Sequence, residues 1–276
     1  MQANTRGHAQ CSGCAHAFGP TLAALTQRKV KALNLEPIVY DCSGTRLTGY
    51  LAMPATNTPV PGVLVAHDAS GVNDHIKSRA AALAELGYAA FALDLYGVEG
   101  FPRDETLARH TELVDSYGLL VKRARAGLRT LATQPRVDPS RLAAIGFCQG
   151  GVTALELARA GEPILAAIGF HPGYLRSNGS PDGPITARVL MMSGTEDPYA
   201  SPEQFATFSR EMSAKARDWQ LHLFGGVGHT FTDRTINALG LPGLAYNAAA
   251  DRRSWAMMCL LLQECFHSQA VGPRGL

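Results

Sequence analysis

Residues 142–151 have the sequence Leu-Ala-Ala-Ile-Gly-Phe-Cys-Gln-Gly-Gly, an apolar run followed by a glycine-rich turn around Cys148. The run 142–145 predicts a short buried strand, and the apolar spacing over 151–159 predicts a helix. The turn between them matches G-x-S-x-G, the nucleophile elbow, with cysteine at the serine position. Glycines are needed there because so sharp a turn brings its residues against neighbouring elements. A buried free cysteine in a glycine-rich turn is the structural alternative, but it would not require strand, turn and helix in this order.

Around this turn, short apolar runs alternate with segments whose apolar residues have helical spacing. Such alternation predicts a parallel sheet with helices on both faces. Residues 37–53 predict an antiparallel hairpin around the turn at Ser43 and Gly44. The expected class is α/β, with the α/β-hydrolase fold: a mostly parallel central sheet, helices on both faces and an antiparallel N-terminal hairpin. Beyond the hairpin we predict strands 63–66, 89–93, 142–145, 165–170, 187–192 and 219–224, and helices 76–86, 105–132, 151–159, 202–216 and 247–263.

An acid and a histidine follow later strands of the predicted sheet, in the order that this fold uses. Asp197 lies in the turn after strand 187–192, and His229 lies in the glycine-rich loop after strand 219–224. Each residue alone could be an ordinary loop residue, and Glu196 is a weaker alternative acid. Together they predict a Cys-His-Asp triad, in which His229 takes the thiol proton and Asp197 fixes the imidazole tautomer.

The predicted turn places Cys148 at a helix N-terminus, where the dipole and free N–H groups favour a thiolate. Attack by that thiolate creates an oxyanion that needs hydrogen-bond donors. We expect them to be the backbone N–H groups of Gln149 and of Ala69, which follows strand 63–66.

Composition indicates one large domain that acts on small molecules. The chain has 276 residues, of which 46% are hydrophobic, and a formal net charge of +2. No charged run suggests nucleic acid or an anionic membrane as a partner, and no apolar run approaches the roughly 18 residues that span a bilayer. The six cysteines are few for a chain of this length and lack the spacing of a disulfide scaffold, so we expect reduced thiols in a cytoplasmic protein. We also expect a monomer or a small homo-oligomer.

The predicted domain spans residues 35–268. Residues 1–34 lack a sustained period and are interpreted as an N-terminal arm, either flexible or carrying a short helix, and 269–276 form a tail. Within the arm, Cys11 and Cys14 have the spacing of half a zinc site or of a redox pair, but no second pair follows. We therefore expect no metal site.

Four segments together resemble the dienelactone hydrolase family: 66–73, 86–97, 146–151 and 228–231. The resemblance covers about 38–264 and implies a triad of Cys148, His229 and Asp197. It implies hydrolysis of lactones or small esters without a cofactor, by way of an acyl-cysteine intermediate.

The chain departs from that family in two places. Asp68 stands where the family has a glutamate that helps to deprotonate the cysteine, so Asp68 keeps the charge on a side chain one methylene shorter. Its role is either activation and substrate binding or capping of the following loop. The family also has an arginine shortly after the histidine, whereas Asp233 occupies that place and Arg234 follows it. A neutral or differently charged ester is therefore as good a candidate substrate as dienelactone itself.

Two alternative functions use the same fold. A thioesterase or acyltransferase would share the triad and differ in substrate or acyl acceptor, and a ligand-binding or redox-sensing protein would not need it. Several polar residues near strand ends are interpreted mainly as structural: His67, His75, His171, Asp94 and Tyr96.

Overall fold

The structure, a computed structural model, describes residues 35–98, 105–174, 176, 177 and 179–267. The predicted arm at 1–34, with Cys11 and Cys14, and the predicted tail at 269–276 lie outside the described residues.

The described residues form an eight-stranded sheet in the order β1-β2-β4-β3-β5-β6-β7-β8. β1 pairs antiparallel with β2, and β2 with β4, while every other pair is parallel. The predicted hairpin is confirmed, and its turn residues Ser43 and Gly44 both have positive φ, as a type I′ hairpin turn requires. The strands are β1 Leu35–Cys42, β2 Thr45–Ala52, β3 Val60–Ala66, β4 Ala89–Leu93, β5 Val137–Phe147, β6 Ala166–Phe170, β7 Arg188–Gly194 and β8 Trp219–Phe224.

Helices cover both faces of this sheet, as predicted. Alternate residues of the buried strands point to opposite faces, so Leu64 and Val65 of β3 belong to two different apolar clusters. The first cluster packs beneath α3, α4 and α5, and the second beneath α1 and α6. The helices are α1 Asp74–Glu85, α2 Glu105–Asp115, α3 Tyr117–Ala132, α4 Gln149–Arg159, α5 Pro202–Lys215 and α6 Ala248–His267, with a 3₁₀ turn at Ile236–Leu239.

The prediction of one helix over 105–132 was wrong, because the chain breaks at Ser116 into α2 and α3. Ser116 leaves the helical conformation, with φ −120° and ψ 85°, and its hydroxyl accepts a hydrogen bond from the Leu119 N–H. This is an N-cap, which starts a new helix. The apolar spacing continues across the break, so periodicity alone did not reveal it.

The register of the parallel strands brings the catalytic candidates to one edge of the sheet. Ala66 at the end of β3 pairs with Gly146 of β5, and Phe147 pairs with Phe170 at the end of β6. The loops that follow these strands therefore leave the sheet side by side, at the carboxyl edge where such folds bind ligands.

Candidate active site

Cys148 occupies a strained turn between β5 and α4. Its φ of 51° and ψ of −116° lie outside the regions that a residue with a side chain normally adopts. The Cys148 N–H donates to the Phe170 carbonyl at 2.9 Å, which ties the turn to the end of β6. A non-glycine residue held in such a conformation is typical of a functional site.

Two glycines allow this turn to pack against the sheet. A Cβ on Gly146 would lie 2.0 Å from the Gly150 carbonyl, and a Cβ on Gly150 would lie 2.1 Å from the Ala66 carbonyl oxygen. Both neighbours are backbone atoms, so the backbone of α4 or of the adjoining strands would have to move. The glycines of the motif are therefore required by close packing, as the sequence predicted.

Replacing Gly150 with alanine is expected to destabilise the protein by about 3 kcal/mol, because the added methyl forces backbone apart in a packed core. Urea unfolding of the wild type and the variant measures this difference. The matched control is Gly118→Ala on the exposed face of α3, where a Cβ has nothing within 4 Å. The control should change stability by no more than about 1 kcal/mol, in the stabilising direction. Equal effects of the two substitutions would contradict the tight packing.

Asp197 and His229 form a buried pair beside this turn. The His229 Nδ1 lies 2.7 Å from the Asp197 Oδ2, and both residues are more than nine-tenths buried. The other carboxylate oxygen, Oδ1, accepts the Tyr199 N–H at 2.9 Å. The loop is held in turn, since the His229 N–H donates to the Gly243 carbonyl. Glu196, the alternative acid, is exposed.

The electrostatics of His229 link this pair to Cys148. Burial by itself lowers the pKa of His229, but the charge of a Cys148 thiolate and hydrogen bonds to Asp197 and Cys148 together outweigh it and raise the pKa to about 10. The structure thus brings Cys148, His229 and Asp197 together, although they are 32 or more residues apart in the chain. A thiol beside an imidazole that is oriented by a carboxylate can perform nucleophilic catalysis.

The predicted oxyanion donors stand at the same edge. Gln149 is the first residue of α4, and Ala69 lies in the loop after β3. Within the described residues, neither backbone N–H donates to a protein acceptor. Unpaired N–H groups at a helix N-terminus can stabilise negative charge.

Asp68 lies next to Ala69 and is nearly buried. Its Oδ1 accepts the Ser70 N–H at 2.7 Å, which is the capping geometry. Burial raises the pKa of Asp68, against the opposing effects of the Ser70 hydrogen bonds and His67. Burial and the nearby charges of Asp68 and Cys148 also raise the pKa of Tyr96, whose hydroxyl donates to the Ala69 carbonyl at 3.2 Å.

Two of the polar strand-end residues have the structural roles expected of them. The Asp94 carboxylate accepts backbone N–H groups from Thr48, Tyr96 and Gly97 at 2.8–2.9 Å. The buried His67 ring accepts the Leu95 N–H and contacts the Asp68 carbonyl. These bonds shape the loops after β3 and β4.

The sequence did not predict two rings that contact His229. The His171 ring lies 4.9 Å from the His229 ring, and Tyr199, which is 59% exposed, lies 4.9 Å from it as well. Both residues follow strands of the sheet, and this position is the feature of the sequence that could have pointed to them. The ring contacts depend on how the loops fold and could not be deduced from spacing.

The described residues contain neither a group of side chains suited to a metal ion nor a membrane-spanning helix. The described residues contain no cluster of three or more His, Cys, Asp or Glu side chains that could hold a metal ion. None of the described helices is long and apolar enough to span a bilayer.

Comparison with known proteins identifies one family. The model of the dienelactone hydrolase family matches residues 47–266. A Bradyrhizobium protein named as a probable 2-oxo-3-(5-oxofuran-2-ylidene)propanoate lactonase is 29% identical over 226 residues, which cover 77% of this chain and 87% of that protein.

Solved structures share the fold over most of the chain. A dienelactone hydrolase-like promiscuous phosphotriesterase from metagenomic libraries is 39% identical, with a TM-score of 0.81, and the match covers 84% of this chain and 98% of that one. A dienelactone hydrolase from Anabaena variabilis is 20% identical, with a TM-score of 0.57 over 82% of this chain and 97% of that one, and it supports the fold alone.

Proposed function

Because the chain belongs to the dienelactone hydrolase family, a family of lactone and ester hydrolases, we propose that it cleaves lactones or small carboxylic esters through an acyl-cysteine intermediate on Cys148. One observation carries the proposal: a strained, glycine-packed turn holds Cys148 beside a histidine whose other nitrogen pairs with a buried aspartate. That arrangement is what an activated nucleophile requires.

In the proposed mechanism, His229 takes the Cys148 proton and the thiolate attacks the acyl carbon. The C–O bond then breaks, and His229 returns the proton to the leaving alkoxide, which stays attached to the acyl group when the substrate is a lactone. Next, His229 deprotonates a water molecule, whose hydroxide attacks the thioester carbon. The C–S bond breaks, the acid leaves, and His229 returns the proton to the Cys148 thiolate. Asp197 keeps the imidazole in the tautomer that has Nε2 free to accept the proton.

The negative charge that develops on the acyl oxygen needs donors at fixed positions. We assign this role to the backbone N–H groups of Gln149 and Ala69, which have no protein acceptor within the described residues. Asp68 is assigned to activation or substrate binding at the same edge. Its burial at this edge supports that role, and its bond to the Ser70 N–H shows how its position is maintained.

A second candidate activity is hydrolysis of phosphotriesters. The neighbour that is 39% identical carries the name of a promiscuous phosphotriesterase. The same thiolate would attack the phosphorus of an aryl phosphotriester and displace the aryloxide, and water would then cleave the S–P bond to release the phosphodiester and regenerate Cys148. We therefore include a dialkyl aryl phosphate among the test substrates.

The test is turnover of small lactones, p-nitrophenyl esters and the phosphotriester by the wild-type protein, with intact mass measured after rapid quenching. We expect ester or lactone turnover and an adduct with the mass of the acyl group on the Cys148 peptide. Iodoacetamide at neutral pH should also block turnover by modifying Cys148 before Cys259 and Cys265, because burial raises the pKa of both of those thiols to about 11.

Peptide mapping of the alkylated protein provides the control, since it also follows Cys11 and Cys14. Full modification of Cys148 with unchanged turnover would disprove the acyl-cysteine mechanism. Absence of turnover on every substrate, with Cys148 unmodified, would favour a binding or sensing role.

A further inference from the structure

A buried histidine contacts the imidazole of His229 and has no role in the proposed reaction. His171 directly follows β6, is 1% exposed, and has a φ of 41°, which L residues rarely adopt. Its ring meets the His229 ring nearly edge to face, at 4.9 Å and 69°. The backbone N–H of His171 donates to the Met192 carbonyl at 2.7 Å, so the strained backbone is anchored to β7.

A hydrogen-bonded chain leads from this ring back to α1. The His171 Nε2 lies 2.9 Å from the Thr232 hydroxyl, and the same hydroxyl lies 3.4 Å from the His75 Nε2. A hydroxyl has one proton, so Thr232 can donate to at most one of the two imidazoles, and the other must donate its Nε2–H to the hydroxyl oxygen. Thr232 is only three residues beyond His229, in the loop that carries it.

The backbone of that loop is held from the same side. Arg79 of α1 donates to the Thr232 carbonyl at 2.8 Å and to the Asp251 carboxylate of α6 at 2.6 Å. The loop bearing His229 is thus tied to both helices on this face of the sheet.

Packing alone does not explain a polar chain here. The His171 ring contacts Phe147 and Phe231, which are fully buried, and an apolar side chain at position 171 would fill the same space. Moreover, the His171 Nδ1 is buried without a hydrogen-bond partner in the described residues, which costs stability. Buried polar groups that are retained at such a cost often serve function.

Both imidazoles of the chain are held uncharged. Burial, followed by the nearby charges of His229 and His75, lowers the pKa of His171 well below its ordinary value. Burial, followed by Arg79, lowers the pKa of His75 to about 4. A neutral ring against His229 does not oppose the positive charge that His229 carries when it holds the Cys148 proton.

We propose that His171, Thr232 and His75 form a positioning chain that holds the His229 imidazole in line between Cys148 and Asp197. The chain rests on the proposed function, because it acts only through His229. His171 and Thr232 are each 1% exposed and are closed off from substrate. Removing either should therefore impair the chemical step and leave substrate binding unchanged.

The test compares Thr232→Val, which keeps the shape and removes the hydroxyl, with Thr232→Ser, which keeps the hydroxyl. Thr232→Val should lower kcat about tenfold, with KM within about twofold of the wild-type value. Thr232→Ser should retain most of the wild-type kcat. His171→Asn, chosen because asparagine tolerates positive φ, should match Thr232→Val. The double variant should be no worse than either single one, because both remove the same interaction.

A spectroscopic measurement separates this proposal from the proposed function. The proton between His229 Nδ1 and Asp197 Oδ2 should give a downfield ¹H NMR signal that shifts or broadens in Thr232→Val and not in Thr232→Ser. This readout needs no turnover. Wild-type kcat and an unshifted signal in both Thr232→Val and His171→Asn would overturn the positioning chain, whereas activity that survives Cys148→Ala would overturn the proposed function instead.

Discussion

Cys148→Ala is expected to lower kcat on esters and lactones about ten-thousandfold or more, because the variant has no atom that can form the acyl intermediate. Any residual rate should come from binding and from the oxyanion donors alone. The variant should fold, since alanine at 148 adds no atom to the strained turn and leaves Gly146 and Gly150 in place. Ester turnover and urea unfolding, measured on the same preparation, check both statements.

Two further variants control this experiment. Cys148→Ser keeps a weaker nucleophile beside His229 and should retain more activity than the alanine variant, with its acyl adduct now on an oxygen. Cys259→Ala removes a partly buried thiol of α6, far along the chain from the proposed triad, and should turn over like the wild type. Unchanged activity in Cys148→Ala would mean that another residue is the nucleophile.

Much of the fold follows from the sequence because the decisive signals are local. Continuous apolar runs such as 89–93 predict buried parallel strands, and Gly146 and Gly150 mark a turn that only glycines permit. The break at Ser116 was not predictable in the same way. It depends on one hydroxyl that caps a new helix while the apolar spacing continues unchanged.

The candidate site, like the fold, could be predicted from the sequence only in part. Asp197 and His229 could be paired with Cys148 in advance because all three follow parallel strands, whose carboxyl ends share one edge. Burial distinguishes Asp197 from its exposed neighbour Glu196, and burial was not visible in the sequence. The contact between His171 and His229 could not be predicted, because it depends on how the loops after β6 and β8 fold.

Asp197→Asn is expected to lower kcat about a thousandfold or more while changing KM little, because the substitution upsets the hydrogen-bond pattern around His229. The carboxylate uses both oxygens as acceptors: Oδ1 receives the Tyr199 N–H and Oδ2 receives the Nδ1–H of His229. Asparagine has only one acceptor oxygen. If that oxygen stays with the Tyr199 N–H, the amide NH₂ faces Nδ1 and forces the proton onto Nε2, where the imidazole can no longer accept the thiol proton.

The other orientation of the amide is also unfavourable, because its NH₂ would face the Tyr199 N–H and leave two buried donors opposed. The matched control is Glu196→Gln, which makes the same change of carboxylate to amide one residue earlier, on an exposed side chain. It should leave kcat unchanged. Equal losses in the two variants would show that the negative charge of the turn matters and not its bond to His229, whereas a loss confined to Asp197→Asn would show that a single buried oxygen determines the tautomer on which the reaction depends.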